Sequence, residues 1–166
     1  MKSKFLSILI LFFANYFFVF SVYSQEQFSF DVTEIEILEN GNKIIGSKRG
    51  EILTNDGIVI KADSFTYNKN ENILNANGKV IIKDTVNNYN IYSDDITYNK
   101  NNEKISTKGP TKSEIYTRYI FNSNDVTFFR NKKTINSNKK TTIIDNDEQT
   151  YIELKNFNFS IENEIL

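Results

Sequence analysis

Ile60-Lys61-Ala62-Asp63-Ser64-Phe65-Thr66-Tyr67 returns further along the chain as Ile91-Tyr92-Ser93-Asp94-Asp95-Ile96-Thr97-Tyr98. A looser third copy, Asn124-Asp125-Val126-Thr127-Phe128, sets Val126 in the place that Ile96 holds in the second. A fourth, Leu154-Lys155-Asn156-Phe157-Asn158-Phe159, sets Phe157 in that place again. One period back from Phe65 stands Ile35, in the degenerate copy Glu34-Ile35-Glu36-Ile37. Self-similarity at a fixed period, here roughly 30 residues, marks a stack of one supersecondary unit, each copy burying its apolar face against its neighbours.

Within the unit, apolar and polar residues alternate. Ile60 and Ala62 share one parity and Phe65 and Tyr67 the other, the period-two mark of a strand with one buried face. The change of parity between Ala62 and Phe65 demands a bulge or bend. The polar runs Asn68-Lys69-Asn70-Glu71-Asn72 and Asn99-Lys100-Asn101-Asn102-Glu103 read as hairpin loops, because asparagine tolerates left-handed backbone. A second alternating run follows, with Leu74, Ala76, Gly78, Val80 and Ile82 on one face and Asn75, Asn77, Lys79 and Ile81 on the other. Each repeat is therefore about two strands of a meander, which predicts an all-β chain of nine or ten strands without helix. Asn40-Gly41-Asn42 and Asn55-Asp56-Gly57 carry tight-turn chemistry. Lys108-Gly109-Pro110-Thr111 reads as the turn of the third unit, and Pro110 is the single proline.

Residues 1–24 stand apart. Lys2 and Lys4 precede an apolar run from Phe5 to Phe20, and Val22 and Ser24 then form a small-residue exit before Gln25. That order predicts a secretory signal peptide over 1–24 and one domain over 25–166, with an uncleaved anchor as the other reading. Without cysteine, the exit cannot be acylated as in a lipoprotein, and no disulfide supports the fold. Removing Lys2 and Lys4 takes the net charge from −1 to −3. No basic stripe is left for nucleic acid.

The chain has neither His nor Cys, which removes Ser-His-Asp and Cys-His catalysis and the usual zinc ligand sets. Neither an enzymatic activity nor a cofactor is expected. Asp63, Asp94 and Asp125 recur at the repeat period. A row of aspartates suits calcium or a glycosidase, but beside a bulge it more simply accepts bonds from freed backbone N–H groups. Lys132-Lys133 and Lys139-Lys140 read as solvated charges at strand edges, with an anionic ligand as the alternative.

Aligning the repeats builds one apolar stripe: Ile35, Ile37, Ile60, Ala62, Phe65, Tyr67, Leu74, Val80, Ile82 and Ile91 in its first half. Ile96, Tyr98, Ile105, Val126, Phe128, Ile135, Ile152, Leu154, Phe157 and Phe159 continue it. Such a stripe is either an ordinary core between packed sheets, as in a structural β-repeat, β-solenoid or adhesin segment, or the lining of a slot for acyl chains. The alternation is the same in both.

The pattern apolar-x-Ala-Asp-x-apolar-x-Tyr, polar turn, apolar-x-Ala-x-Gly-x-Val resembles the OstA-type repeat of the lipopolysaccharide-transport proteins. Ile60, Ala62, Asp63, Phe65, Tyr67, Leu74, Ala76, Gly78 and Val80 carry it, and Ile91, Ser93, Asp94, Ile96, Tyr98, Ile105 and Gly109 repeat it. The copies at Val126 and Phe157 lack the Ala-Asp pair and match by spacing. The resemblance implies an open, twisted β-jellyroll of stacked two-strand repeats, whose groove shields lipid A acyl chains. It further implies a periplasmic location and edge-strand pairing with other jellyrolls of the transport bridge, driven by an ATPase elsewhere. Within the family, the texture is most similar to the N-terminal domain of the LptD type, which precedes an outer-membrane barrel with a lipoprotein partner. The free LptA type comes next, then the anchored LptC type.

Overall fold

The computed structural model describes residues 27–165, so the secretory signal read over 1–24 lies outside them. Fourteen strands are formed: β1 (Phe28–Leu38), β2 (Lys43–Thr54), β3 (Ile58–Ala62), β4 (Ser64–Asn68), β5 (Ile73–Asp84), β6 (Tyr89–Asn99) and β7 (Lys104–Lys108). β8 (Pro110–Ile115), β9 (Tyr119–Asn124), β10 (Thr127–Phe129), β11 (Thr134–Ser137), β12 (Thr141–Asp145), β13 (Thr150–Leu154) and β14 (Phe157–Ser160) follow. Among the described residues, only two single turns of 3-10 helix, Glu39–Gly41 and Arg130–Lys132, interrupt them.

These strands are nine long rungs, beginning at Phe28, Lys43, Ile58, Ile73, Tyr89, Lys104, Tyr119, Thr134 and Thr150. Each rung pairs antiparallel with the rung before and after it. Five rungs are split midway, as β3/β4, β7/β8, β9/β10, β11/β12 and β13/β14. The other four bend at the same level. Thus one sequence repeat is two rungs, and the sheet is folded along a line through every rung's middle. A parallel solenoid is excluded, since every named pairing is antiparallel.

Folding along that line makes two layers. The upper layer holds 28–32, 50–54, β3, 80–84, 89–93, β8, β9, β12 and β13. The lower layer holds 34–38, 43–47, β4, 73–77, 95–99, β7, β10, β11 and β14. Parity shifts as the odd rungs cross the line and is kept in the even ones. In odd rungs the inward residues step by three, Ala62 to Phe65, Ser93 to Ile96 and Ser123 to Val126. In even rungs they step by four, Ala76 to Val80, Thr107 to Thr111 and Ser137 to Thr141. Asn77 faces Asp95 and Val80 faces Ser93, so Gly78 and Lys79 oppose Asp94 alone. That is a bulge, with both of its residues at positive φ.

Two points of chain chemistry differ from the sequence-based expectation. Gly109 (φ 80°) and Pro110 do not turn a hairpin; they sit on the fold line, and the chain runs straight on from β7 into β8. Gly-Pro satisfies a bulge as well as a turn, because both need positive φ and a missing ladder donor. Second, the strands number fourteen, because the fold line cuts rungs that the alternation reads as continuous.

Size grades across the core. Where the layers converge, inward residues are small: Ala62, Ala76, Ser93, Thr107, Thr111, Ser123, Ser137 and Thr141, all buried. Their hydroxyls are satisfied locally, Thr111 donating to Thr107 over 2.7 Å and Thr107 Oγ1 accepting from Val126 N–H over 2.8 Å. Away from the line, rings from opposite layers meet. Phe28 packs on Tyr67 (4.7 Å between centroids), Tyr89 on Phe128 (5.2 Å), Tyr119 on Phe159 (5.2 Å) and Phe121 on Phe157 (5.1 Å).

Candidate functional site

Sixteen of the twenty stripe residues are buried between the layers: Ile60, Ala62, Phe65, Tyr67, Leu74, Val80, Ile82, Ile91, Ile96, Tyr98, Ile105, Val126, Phe128, Ile135, Phe157 and Phe159. The remaining four lie on the end rungs. Ile37 pairs with Ile44, which pairs with Tyr67; Ile35 pairs with Gly46, which pairs with Phe65. Directly paired residues share a face, so both isoleucines look inward, yet Ile35 is 53% and Ile37 61% exposed. At the other end Ile152 pairs with Ile143 and Leu154 with Thr141, again inward, with Ile152 38% exposed and Leu154 half-buried.

The two ends open on opposite layers. In the first rung the upper half, through Phe28, is covered and the lower half is bare. In the ninth the lower half, through Phe157 and Phe159, is covered and the upper half is bare. The apolar inner face thus surfaces at both free edges of the sheet.

Opposite the fold line, the hairpin turns of the two layers form the lips of a mouth. On the upper lip are 55–57, 85–88, 116–118 and 146–149; on the lower are 39–42, 69–72, 100–103 and 130–133. An ion cluster joins them. From the lower lip Arg130 Nε donates to Asp84 Oδ2 (2.8 Å) and Nη1 to Asp56 Oδ2 (2.5 Å) on the upper. Lys100 also reaches Asp56 across the mouth (2.5 Å). Glu103, on the lower lip, accepts from Lys100 (2.7 Å), Arg130 (2.5 Å) and the Tyr98 hydroxyl (2.8 Å). A second crossing lies further along, where Arg118 pairs with Asp145 (2.7 Å) on its own lip and Glu164 (3.1 Å) on the other. Tyr119 donates to the same Glu164 carboxylate over 2.9 Å.

The electrostatics follow. Burial pushes the Asp56 carboxyl up, but hydrogen bonds from Lys100, Thr54 and Arg130 outweigh it and hold the group well below the usual range. Burial likewise opposes ionisation of Asp84; bonds from the Asn87 side chain and backbone and from Arg130 win, and the group stays charged. The Arg118 hydrogen bond lowers Asp145 to about 2. Burial, reinforced by Glu103, drives the Tyr98 phenol far above its ordinary value.

Of the row of aspartates, two meet the backbone at the fold line. Asp125 Oδ1 accepts from Gly109 N–H over 2.8 Å at the fold line, and the Asp63 carboxylate lies against Gly78. Among the described residues no group of three acidic side chains is placed to hold a metal. The lysine pairs meet surface carboxylates, Lys133 with Glu162 (2.9 Å) and Lys140 with Glu153 (2.9 Å).

With this geometry in view, the comparisons with known proteins are specific about fold. No family model matches the chain, and no curated protein matches it. Solved structures do match, thirteen chains in all. One is LptH of Pseudomonas aeruginosa, the LptA-homologous periplasmic component of the lipopolysaccharide transport device. It is 15% identical, with a TM-score of 0.58 over 66% of this chain and 80% of that one. The fold is an LptA-like β-jellyroll. Among the described residues, no helix is long and apolar enough to cross a membrane.

Local spacing missed the two ion clusters, since Arg130 and Asp56 are 74 residues apart. One compositional signal was there to use. The chain has only three arginines, and two of them, Arg118 and Arg130, hold the clusters. A planar fork that binds several carboxylates at once is what lysine cannot replace.

Proposed function

We propose that this chain is a periplasmic, non-enzymatic carrier that shields the acyl chains of lipopolysaccharide between its two β-layers and hands them on to neighbouring jellyrolls. The observation that carries the reading is the inner face of the jellyroll, an apolar stripe bordered by hydroxyls at the fold line, that surfaces at both free edges through Ile35 and Ile37 and through Ile152 and Leu154. A stripe open at its ends joins end to end with that of a second jellyroll paired strand to strand. Acyl chains moving along it exchange contact with water for contact with Ile, Phe and Tyr side chains at about 25 cal/mol per Å2. Lipopolysaccharide is the ligand class of the device to which the similar LptH belongs.

The finer assignment is to the N-terminal jellyroll of an LptD-type protein rather than to a free LptA-type unit. It rests on the texture of the repeats, and a barrel-coding segment after Leu166 is its test. A second reading has its own support: the burial of sixteen stripe residues suits a structural β-repeat with a fully packed core.

Photo-reactive residues at Tyr67 and Phe128 separate the two. Carrier function predicts capture of lipopolysaccharide at both and none at a Lys69 control. Capture at the control alone, or at no position, removes the carrier reading and leaves the packed scaffold.

A further inference from the structure

We infer that the Arg130 cluster is a reversible latch, and that the jellyroll loads chiefly sideways, by parting its lips about the fold line, with its ends as the minor route. The inference rests on the carrier reading for what is loaded, but not for the latch itself. Both cations of the cluster, Arg130 and Lys100, stand on the lower lip, and two of their partners, Asp56 and Asp84, stand on the upper. Just inside this cluster Tyr89 stacks on Phe128, and Tyr98, whose hydroxyl joins the cluster, meets Phe28 edge-on from the other layer, so the ion pairs are the outer bonds closing this part of the mouth.

Reversibility lies in how each half is built. When the lips part, Glu103 stays with Arg130 and Lys100, because all three share the lower lip. On the upper lip Asp84 Oδ1 keeps the N–H groups of Val86 (3.0 Å) and Asn87 (2.9 Å), and its Oδ2 keeps the Asn87 amide (2.8 Å). Asp56 gives up both of its cations, but its side chain is already 34% exposed, so water takes their place as the lips part, and no charge is stranded in a dry site, the condition that makes breaking a buried ion pair prohibitive. The opposite side of the rungs is suited to flex. Its inward residues are small, and Gly78 and Gly109 hold positive φ on the line itself.

The test labels Val86→Cys and Lys132→Cys, one on each lip, with nitroxides and measures their separation. The chain's own lack of cysteine leaves the labels unambiguous. In the otherwise unaltered protein one narrow distance is expected. In Lys100→Gln/Asp56→Asn, which leaves Arg130–Asp84 in place and so protects folding, the distribution broadens to longer distances. In Arg130→Gln/Asp84→Asn it broadens further. A wild-type distribution in both, with native circular dichroism, overturns the latch. As a lock, Asp56→Cys/Lys100→Cys is bridged by a reducible methanethiosulfonate linker. Uptake of a fluorescent fatty-acid probe then falls at least tenfold and recovers on reduction; uptake at the unlocked rate overturns the inference. If the lips open as described but no form takes up probe or lipopolysaccharide, the latch stands and the carrier reading falls.

Discussion

Arg130 Nε lies 2.8 Å from Asp84 Oδ2, with the two side chains only 7% and 0% exposed, and this bond ties the seventh rung's hairpin to the end of the fourth rung in the opposite layer. A buried pair is worth little against an apolar substitute, but removing one partner leaves a charge in a dry site. Arg130→Met is therefore expected to lower unfolding free energy by about 3–5 kcal/mol. Adding Asp84→Asn recovers part of that loss, because the stranded charge is gone. Denaturant unfolding of the two single variants and the double variant gives the coupling.

The acid limb of stability follows from the same groups. Asp56, Asp84 and Asp145 are all held below the ordinary carboxylate value of about 3.9. A lowered folded-state value contributes stability that is complete above the unfolded value and disappears as pH falls towards the folded one. Melting temperature should thus be flat from about pH 8 to pH 5 as far as these groups decide it, and drop below about pH 4. In Asp56→Asn/Asp84→Asn the drop becomes shallower. A wild-type acid limb in that variant would place the sensitivity elsewhere.

How far the sequence reached can be read from three residues. Phe65 was legible in full, since its parity against Ala62 announces both the strand and the bend. Ile37 was legible in direction but not in burial: alternation fixes which face it takes, whereas cover depends on whether another rung lies beyond. Arg130 was illegible. Its partners come from turns 46 and 74 residues away, brought together only when the sheet folds on itself. A constant repeat period shows that units stack, yet it does not say that each unit bends in the middle; the alternating steps of three and four do, once the core is seen.

The fold line is tested at two glycines. A Cβ on Gly50 would stand 2.6 Å from Asp31 O and Val32 Cγ1, against backbone that the first rung cannot withdraw. On Gly78 it would meet the Asp63 carboxylate at 2.7 Å and hold φ at +81°, costing about 1–2 kcal/mol from backbone conformation alone. Gly50→Ala is expected to loosen the first rung, seen as faster amide exchange in 28–38, and Gly78→Ala to lower global stability. Gly41→Ala, where nothing lies within 4 Å, serves as control for positive φ without a clash.

Ile37 offers the sharpest separation of fold from assembly. It is 61% exposed on the first rung, whose outer edge has no neighbouring strand, so Ile37→Asp is expected to change unfolding free energy by no more than about 0.5 kcal/mol. Ile96→Ala, cut from the closed part of the same stripe, should cost about 2–5 kcal/mol. Association reverses the order. When the first rung of one copy pairs with the ninth of another, Ile37 comes to lie beside the lower-layer half that carries Phe157 and Phe159. An aspartate there is buried among apolar side chains without a partner, a penalty of several kcal/mol. Sedimentation velocity over a concentration series should show the unaltered protein, and folded Ile96→Ala, forming end-to-end oligomers while Ile37→Asp stays monomeric. Equal association of all three would mean that the free edges do not pair this way, and that the stripe ends at each molecule's own surface.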